Sequence, residues 1–119
     1  MKPTIEKVSA ITLVVCNMKV SLQFYRDVLG MKMLYGGERS SFSSLQANDL
    51  QSAILNLEQG DKVSRWGRII FHVTNVDAFW ALLKGEGFDP EIPQDASWGE
   101  RYFHVLDPDG HQLSFARLL

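Results

Sequence analysis

An approximate internal repeat constrains the fold of this chain more than any other feature of its sequence. In each half, an apolar run typical of a β-strand is followed by Asn, then by apolar residues at helical spacing, and then by Gly. Asn17 and Asn75 are 58 residues apart, and Gly30 and Gly87 are 57 apart, in a chain of 119 residues. Three short apolar runs follow each predicted helix. Because this order recurs at one offset, we predict an α+β fold of two tandem βαβββ modules, about residues 5–60 and 65–119, within a single domain spanning 1–119.

The apolar residues also place the individual elements. Residues 8–16 are almost all strand formers on both alternating faces, which predicts a first strand buried on both sides, with Cys16 as a structural residue at its end. The second module begins with an alternating strand at 68–73, and Asn75 or Asp77 is placed to cap its helix. The other strands are predicted at residues 31–35, 41–46, 53–57, 91–92, 101–106 and 111–116.

The sequence DPDG at 107–110 predicts the geometry of the last hairpin. Pro followed by Gly at this spacing favours a three-residue loop, in which Asp107 pairs with a solvent-exposed His111. The pairs predicted on one face are then Tyr102 with Ala116 and His104 with Ser114. The apolar residues of the opposite face, expected to pack against the helices, are Phe103, Val105, Leu113 and Phe115.

The charge balance argues against several classes of partner. With 12 Lys and Arg against 14 Asp and Glu, the net charge is -2, and no basic face is available for nucleic acid. No apolar run approaches the ~20 residues of a membrane span, and the charged N-terminal residues do not resemble a signal peptide. A single Cys is consistent with a reducing compartment. We therefore expect a cytoplasmic protein that binds neither nucleic acid nor membrane.

Two stretches of the sequence resemble a known superfamily. WGERYF at 98–103, with DPDG at 107–110 and LSF at 113–115, resembles the closing segment of bleomycin-resistance-type proteins. FYRDVLGM at 24–31 is similar to the first-helix signature of the wider superfamily of glyoxalases, bleomycin resistance proteins and extradiol dioxygenases, the vicinal oxygen chelate fold. The resemblance implies two βαβββ modules whose curved mixed sheets enclose a cavity, completed by homodimerisation. This scaffold hosts isomerases, dioxygenases, transferases and pure binding proteins, so the fold alone does not decide the function.

The resemblance also implies where a metal ion would be held, and this sequence departs from that pattern. Enzymes of the superfamily use side chains from the first and last strands of each module. Those positions fall on Ala10 and Arg68 in the first strands, and on Asn56 and Ser114 in the last strands. Ala has no donor atom, Arg stays protonated, and Asn and Ser offer only neutral, weak oxygens. We therefore predict no metal and no cofactor.

Arg68 places a permanent positive charge where the relatives hold an ion. It is suited to a carboxylate, phosphate or enolate of a ligand, or else to an internal pair with Glu58 or another acid. His72 shares the strand face of Arg68, and His104 shares that of Ser114, so both histidines are candidates to contact a ligand or to act as acid or base. The alternatives are two ordinary histidines at the rim of a sheet, or an unrelated metal constellation of His72, His104 and Glu58.

Two tryptophans precede strands, in loops where the resemblance places the rim of the ligand groove. Trp66 and Trp98 offer flat walls for a planar molecule, or else cover the open end of a sheet. The residues predicted to bind a ligand are Asn56, Trp66, Arg68, His72, Trp98, His104 and Ser114.

The sequence thus favours a metal-independent homodimeric protein that binds and sequesters a small molecule, such as an aromatic antibiotic or toxin. The positive charge of Arg68 argues against bleomycin itself, which is cationic. One alternative is a lyase, isomerase or dioxygenase of the same superfamily with a non-standard active site. A further alternative is a non-catalytic interaction module whose cavity is filled by its own side chains.

Overall fold

Two α-helices and eight strands follow one another in the order βαβββ, twice, in the computed structural model, which describes residues 2–119. The chain divides into two compact units, the first ending at Val63 and the second covering Ser64–Leu119. Each unit contains one mixed four-stranded sheet, and each sheet is open. The predicted α+β fold of two βαβββ modules is therefore confirmed.

In the first unit, β1 (Ala10–Val15) leads into α1 (Met18–Leu22) and a π-helical segment (Gln23–Val28). The strands that follow are β2 (Lys32–Tyr35), β3 (Phe42–Gln46) and β4 (Ile54–Gln59). The strand order is β1-β4-β3-β2, with β1 parallel to β4 and the other neighbours antiparallel. The helical side chains of Leu22, Phe24 and Tyr25 are almost completely buried and provide the apolar cover that one face of a sheet requires.

The second unit repeats this arrangement with β5 (Arg68–His72), α2 (Val76–Gly85), β6 (Gln94–Asp95), β7 (Glu100–Leu106) and β8 (Gln112–Leu118). The strand order is β5-β8-β7-β6, and β5 is parallel to β8. Phe115 lies at the centre of the core of this unit. Its ring stacks on Phe103 of β7 and on Phe79 of α2, with centroids 5.1 and 5.4 Å apart. The apolar face predicted for the hairpin therefore packs against the helix as expected.

The strand registers confirm the 58-residue offset at the level of individual pairs. In each unit the first strand pairs in parallel with the last, and the two sets of partners correspond. The equivalent pairs are Ala10 with Ile54 and Arg68 with Gln112, followed by Thr12 with Asn56 and Ile70 with Ser114. Any residue at one position of this framework thus has a defined counterpart in the other unit.

The helix termini follow the predicted signals. The side-chain oxygen of Asn17 accepts the backbone N–H of Val20, and that of Asn75 accepts the N–H of Ala78, so each Asn satisfies a free donor of its helix. Gly30 follows the first helical region with a φ of 78°, in the left-handed conformation that Gly adopts without steric cost. The first helix changes to π-type hydrogen bonding, with Leu29 N–H donating to Phe24 O at 2.9 Å.

Four local predictions were wrong. Only one face of β1 is buried, with Ala10 and Thr12 exposed, because the opposite face of this sheet has no cover within its unit. Cys16 lies beyond the end of β1 and is exposed rather than buried. The strand predicted at residues 91–92 occurs at Gln94–Asp95, where the residues pair with β7. His111 is 4% exposed, because the tight turn folds it inward.

The last hairpin has the predicted register. Asp107 N–H donates to His111 O at 2.9 Å, with three residues between them. One carboxylate oxygen of Asp107 accepts the backbone N–H groups of Asp109 and His111, at 2.9 and 2.8 Å. Since Asp107 is 5% exposed, this side chain acts as a buried clamp on the turn.

None of the helices formed by residues 2–119 has the length and apolar character needed to cross a bilayer.

Candidate functional site

The solvent-facing side of the second sheet carries the polar residues singled out by the sequence. Successive side chains of a strand point to opposite faces, and on β5 the exposed set is Arg68, Ile70 and His72. Parallel pairing places Arg68 opposite Gln112 and Ile70 opposite Ser114, so β8 contributes to the same face.

The antiparallel pairing of β7 with β8 completes this face. His104 lies opposite Ser114, Tyr102 opposite Ala116, and Leu106 opposite Gln112. The predicted hairpin register is thus confirmed, and it brings a histidine of β7 to a polar residue of β8. We call the group formed by Arg68, His104, Gln112 and Ser114 the Arg68 cluster.

Hydrogen bonds hold the Arg68 cluster in one arrangement. The Nη1 atom of Arg68 lies 3.0 Å from Nε2 of His104, and its Nη2 donates to Oε1 of Gln112 at 3.0 Å. Nδ1 of His104 lies 2.6 Å from Oγ of Ser114. Two neutral side chains therefore orient the guanidinium group of Arg68, which itself remains exposed.

This network assigns the tautomer of His104. A guanidinium group only donates hydrogen bonds, so Nε2 of His104 must present its lone pair to Arg68. The proton of the neutral ring then resides on Nδ1 and is donated to Oγ of Ser114. Burial and the neighbouring positive charge of Arg68 both lower the pKa of His104, while the negative charge of Glu91 opposes them. His104 is accordingly neutral at pH 7.

Arg68 has no acidic partner within its own unit. In the described part of the second unit, the ion pairs are those of Lys84 with Asp89 and of Arg101 with Asp77 and Asp95. Its hydrogen-bond partners are neutral instead. The guanidinium group therefore keeps several N–H donors directed to solvent, since an arginine has five of them.

An aromatic row continues from the Arg68 cluster along β7. The rings of His104 and Tyr102 have centroids 5.0 Å apart, and Trp98 stacks on Tyr102 at 5.5 Å with an interplanar angle of 29°. The indole N–H of Trp98 donates to Glu100 at 2.8 Å, which orients the ring. Trp98 is 65% exposed, so the row ends in a flat surface open to a ligand.

A pocket of about 360 Å³ borders Arg68 and His104. Its volume is within the range of small-molecule sites. The residues that line it are Arg68, Asp89, Glu91, His104, Val105, Leu106 and Gln112. The pocket therefore combines the Arg68 cluster with two carboxylates and an apolar wall.

The equivalent place in the first unit has a different character. Oγ of Ser44 lies 2.7 Å from Oδ1 of Asn56, and Nδ2 of Asn56 donates to Oγ1 of Thr12 at 3.3 Å. These residues form an uncharged polar row across three strands, whereas His104 and Ser114 form a polar pair across two strands of the second unit. The electrostatic asymmetry between the two modules therefore arises from Arg68.

The structure groups some of the predicted site residues and separates others. Arg68, His104 and Ser114 are joined by hydrogen bonds, and Trp98 reaches them through Tyr102. His72 lies on the face of Arg68, opposite Ala116 of β8. Trp66 lies in the segment before β5 and is 51% exposed, and Asn56 belongs to the polar row of the first unit.

Sequence analysis missed three residues of this region. Tyr102 is two residues before His104 on one strand, so the hairpin register predicts that it shares the face of His104, but it was not included among the ligand-binding residues. Gln112 is the parallel partner of Arg68, which the 58-residue offset could have indicated. Glu91 had no such signal, because it precedes β6 in a segment without regular structure.

The four positions that the resemblance assigns to metal ligands do not fit a metal ion. Arg68 offers only donors, Ala10 has no donor atom, and Ser114 accepts the proton of His104. Asn56 uses both ends of its amide within the first unit. Across residues 2–119, no group of three or more His, Cys, Asp or Glu side chains is arranged to hold a metal. His104 has both ring nitrogens engaged, which also argues against the alternative set built on His72 and His104.

Comparison with known proteins identifies relatives over nearly the whole chain. Residues 7–115 match the family described as Glyoxalase/Bleomycin resistance protein/Dioxygenase superfamily. A putative glyoxalase family protein from Bacillus anthracis superimposes with a TM-score of 0.81 at 17% identity, over 100% of both chains. A superfamily member from Sphaerobacter thermophilus superimposes with a TM-score of 0.78 at 22% identity, over 95% of this chain and 98% of that one. A lactoylglutathione lyase from Agrobacterium tumefaciens superimposes with a TM-score of 0.78 at 15% identity, over 96% of this chain and 95% of that one.

No curated protein matches the sequence. At the identities above, the solved structures show a shared fold and leave the chemistry to be argued from the site.

Proposed function

The chain belongs to the glyoxalase/bleomycin resistance protein/dioxygenase superfamily, and from this premise we propose that it is a metal-independent binding protein for a small planar molecule with an anionic group. The proposed ligand stacks on Trp98 and Tyr102 and directs its anionic group to Arg68. Binding lowers the concentration of the free molecule, as sequestration of an aromatic antibiotic or toxin does.

The observation that carries this proposal is the state of Arg68. Its guanidinium group is exposed, borders the pocket, and is oriented by two neutral acceptors while no carboxylate of its unit neutralises it. A charged donor group that is already oriented loses little entropy when an anion binds. Hydrogen bonds from such a group to a carboxylate or phosphate are among the stronger polar contacts available to a protein.

The aromatic row supports a planar ligand. Trp98 is held by its N–H contact to Glu100 and by stacking on Tyr102, yet most of its surface faces solvent. Exposed aromatic rings in a fixed orientation favour flat, conjugated molecules, because stacking needs little rearrangement.

The same geometry favours binding over acid–base catalysis by His104. A general base needs a free lone pair directed at the substrate. The lone pair of His104 is directed at Arg68 and its N–H at Ser114, so proton abstraction first requires the loss of a charge-assisted hydrogen bond. A metal-dependent lyase, isomerase or dioxygenase requires donors that the four ligand positions lack.

A homodimer and a cytoplasmic location are further parts of this proposal. Members of the superfamily pair two chains around their cavities, which is what the resemblance of the sequence implies. Light scattering of the purified protein tests the dimer, and a monomer at micromolar concentration contradicts it.

Calorimetric titration with naphthylpropionate and its neutral analogue naphthylpropanol tests the role of Arg68. We expect the acid to bind at least about tenfold more tightly than the alcohol, and Arg68→Gln to remove that preference. Arg65→Gln is the matched control, since Arg65 bonds Asp109 O in the same unit and lies outside the pocket. Equal binding of acid and alcohol, or an unchanged preference in Arg68→Gln, contradicts the proposal.

Metal analysis of the purified protein, with titration by Zn, Ni, Mn and Fe, tests the metal-independent part. Stoichiometric metal binding that depends on His104 or His72 would contradict the metal-independent proposal and support a metalloenzyme instead.

A further inference from the structure

Two opposite charges line the pocket beside His104 without neutralising each other. Arg68 and Glu91 both border the pocket. Within residues 2–119, neither side chain forms an ion pair, and the carboxylate of Glu91 has no hydrogen-bond donor. Both charges nevertheless act on the ring of His104. The pocket therefore presents a positive and a negative group that form no ion pair with each other, both near the imidazole of His104.

The neutral acceptors explain why these charges stay apart. His104 and Gln112 each accept a hydrogen bond from Arg68 at 3.0 Å and hold its guanidinium group over β8 and β7. Glu91 lies beside β7, and its backbone N–H donates to His104 O at 2.9 Å. Each charge is thus positioned by its own backbone or side-chain contacts, with the pocket between them.

The second carboxylate of the pocket differs from Glu91. Asp89 has a fully exposed side chain and lies 3.6 Å from the ammonium group of Lys84. Its charge is balanced by that neighbour, which leaves Glu91 as the uncompensated acid among the described lining residues.

We propose that the natural ligand is amphoteric, with a cationic amine that binds Glu91 in addition to the anionic group that binds Arg68. This inference rests on the proposed function and adds the class of the ligand. A molecule that bridges the two groups gains two charge-assisted hydrogen bonds and breaks no existing ion pair. The volume of about 360 Å³ is large enough for the two charged groups of such a molecule.

Three probes with the same naphthyl ring separate the contributions of the two charges. Naphthylalanine carries the amine and the carboxylate, naphthylpropionate carries the carboxylate alone, and naphthylethylamine carries the amine alone. Calorimetric titration of the whole protein at neutral pH measures their affinities. We expect naphthylalanine to bind about three- to tenfold more tightly than naphthylpropionate, the effect of one exposed charge-assisted contact.

Glu91→Gln is the decisive variant. It should remove the advantage of naphthylalanine over naphthylpropionate and leave the binding of naphthylpropionate as tight as before or tighter. Asp89→Asn is the matched control and should leave the ratio of the two affinities unchanged, because Lys84 already balances Asp89. Since Glu91 is exposed, neither substitution removes a buried contact, and thermal unfolding checks that both variants remain folded.

The outcomes distinguish this inference from the proposed function. If naphthylpropionate binds in an Arg68-dependent manner but naphthylalanine binds no better, or keeps its advantage in Glu91→Gln, the amphoteric ligand is wrong and the anion-binding function stands. If Glu91→Gln tightens the binding of both probes equally, Glu91 is a competitor for Arg68 in solution, which also overturns the inference. If neither probe binds in an Arg68-dependent manner, both proposals fail.

Discussion

The hydrogen bond between His104 and Ser114 permits a double-mutant cycle that tests the geometry of the site directly. Nδ1 of His104 and Oγ of Ser114 are 2.6 Å apart, and Ser114 is 3% exposed. Ser114→Ala leaves the Nδ1 proton without its acceptor, and His104→Phe leaves a buried hydroxyl without its donor. A polar group left unsatisfied in this way costs about 1–2 kcal/mol of the free energy of unfolding at a partly buried position.

The double variant removes both partners at once and leaves neither group unsatisfied. Phe retains the aromatic contact with Tyr102, whose ring centroid is 5.0 Å from that of His104, so packing changes little. We expect the double variant to be more stable than the sum of the two single effects by about 1 kcal/mol. The contact of His104 with Arg68 adds little to this balance, because Arg68 is exposed.

Urea unfolding of the four proteins at neutral pH, followed by circular dichroism, measures the coupling. Effects that add to within about 0.3 kcal/mol would show that His104 and Ser114 do not interact in solution. The assigned tautomer of His104 would then lose its basis.

Three further results are expected. The pKa of His104 is lowered in the folded protein, so the unfolded chain takes up a proton first as the pH falls below about 6.5. The free energy of unfolding of the wild type should therefore decrease with falling pH more steeply than that of His104→Phe. Equal slopes for the two proteins contradict the direction of the pKa shift. Asp107→Ala should lower the free energy of unfolding in urea by about 2–4 kcal/mol, because two backbone N–H groups lose their acceptor. Asp107→Asn keeps that oxygen and should lower it by about 1 kcal/mol. Equal losses for the two variants contradict the role of Asp107 as a clamp on the turn. Gly36→Ala should destabilise the first unit strongly, since a Cβ there would clash with Phe42 O and the φ of 88° disfavours any side chain. Gly37→Ala meets no atom within 4 Å and should unfold like the wild type; similar midpoints for the two variants would contradict this account.

The parts of the fold that sequence predicted are those governed by local chemistry and by the repeat. Asn17 and Asn75 each cap a helix, and the DPDG turn places His104 opposite Ser114. These features depend on residues close in sequence, whose turn and capping preferences act over a few positions. The 58-residue offset then carried the assignments from one module to the other.

Three of the four predictions that failed concern burial. Strand-forming residues occupy both faces of β1, yet one face is exposed, and Cys16 and His111 have the opposite exposure to that expected. Whether an apolar or polar side chain is covered depends on which elements pack over it. A pattern of two alternating faces cannot contain that information.

For this protein, the order of residues determined the two modules and the register of the last hairpin. Only the tertiary structure decided which side chains contact the guanidinium group of Arg68. The parallel pairing of β5 with β8 brings Gln112 to Arg68 across 44 residues of chain, and β7 brings His104. Hydrogen bonds between strands depend on which strands are neighbours and at what register. The neutral partners of Arg68, and its lack of a carboxylate partner in its unit, therefore follow only from the assembled sheet.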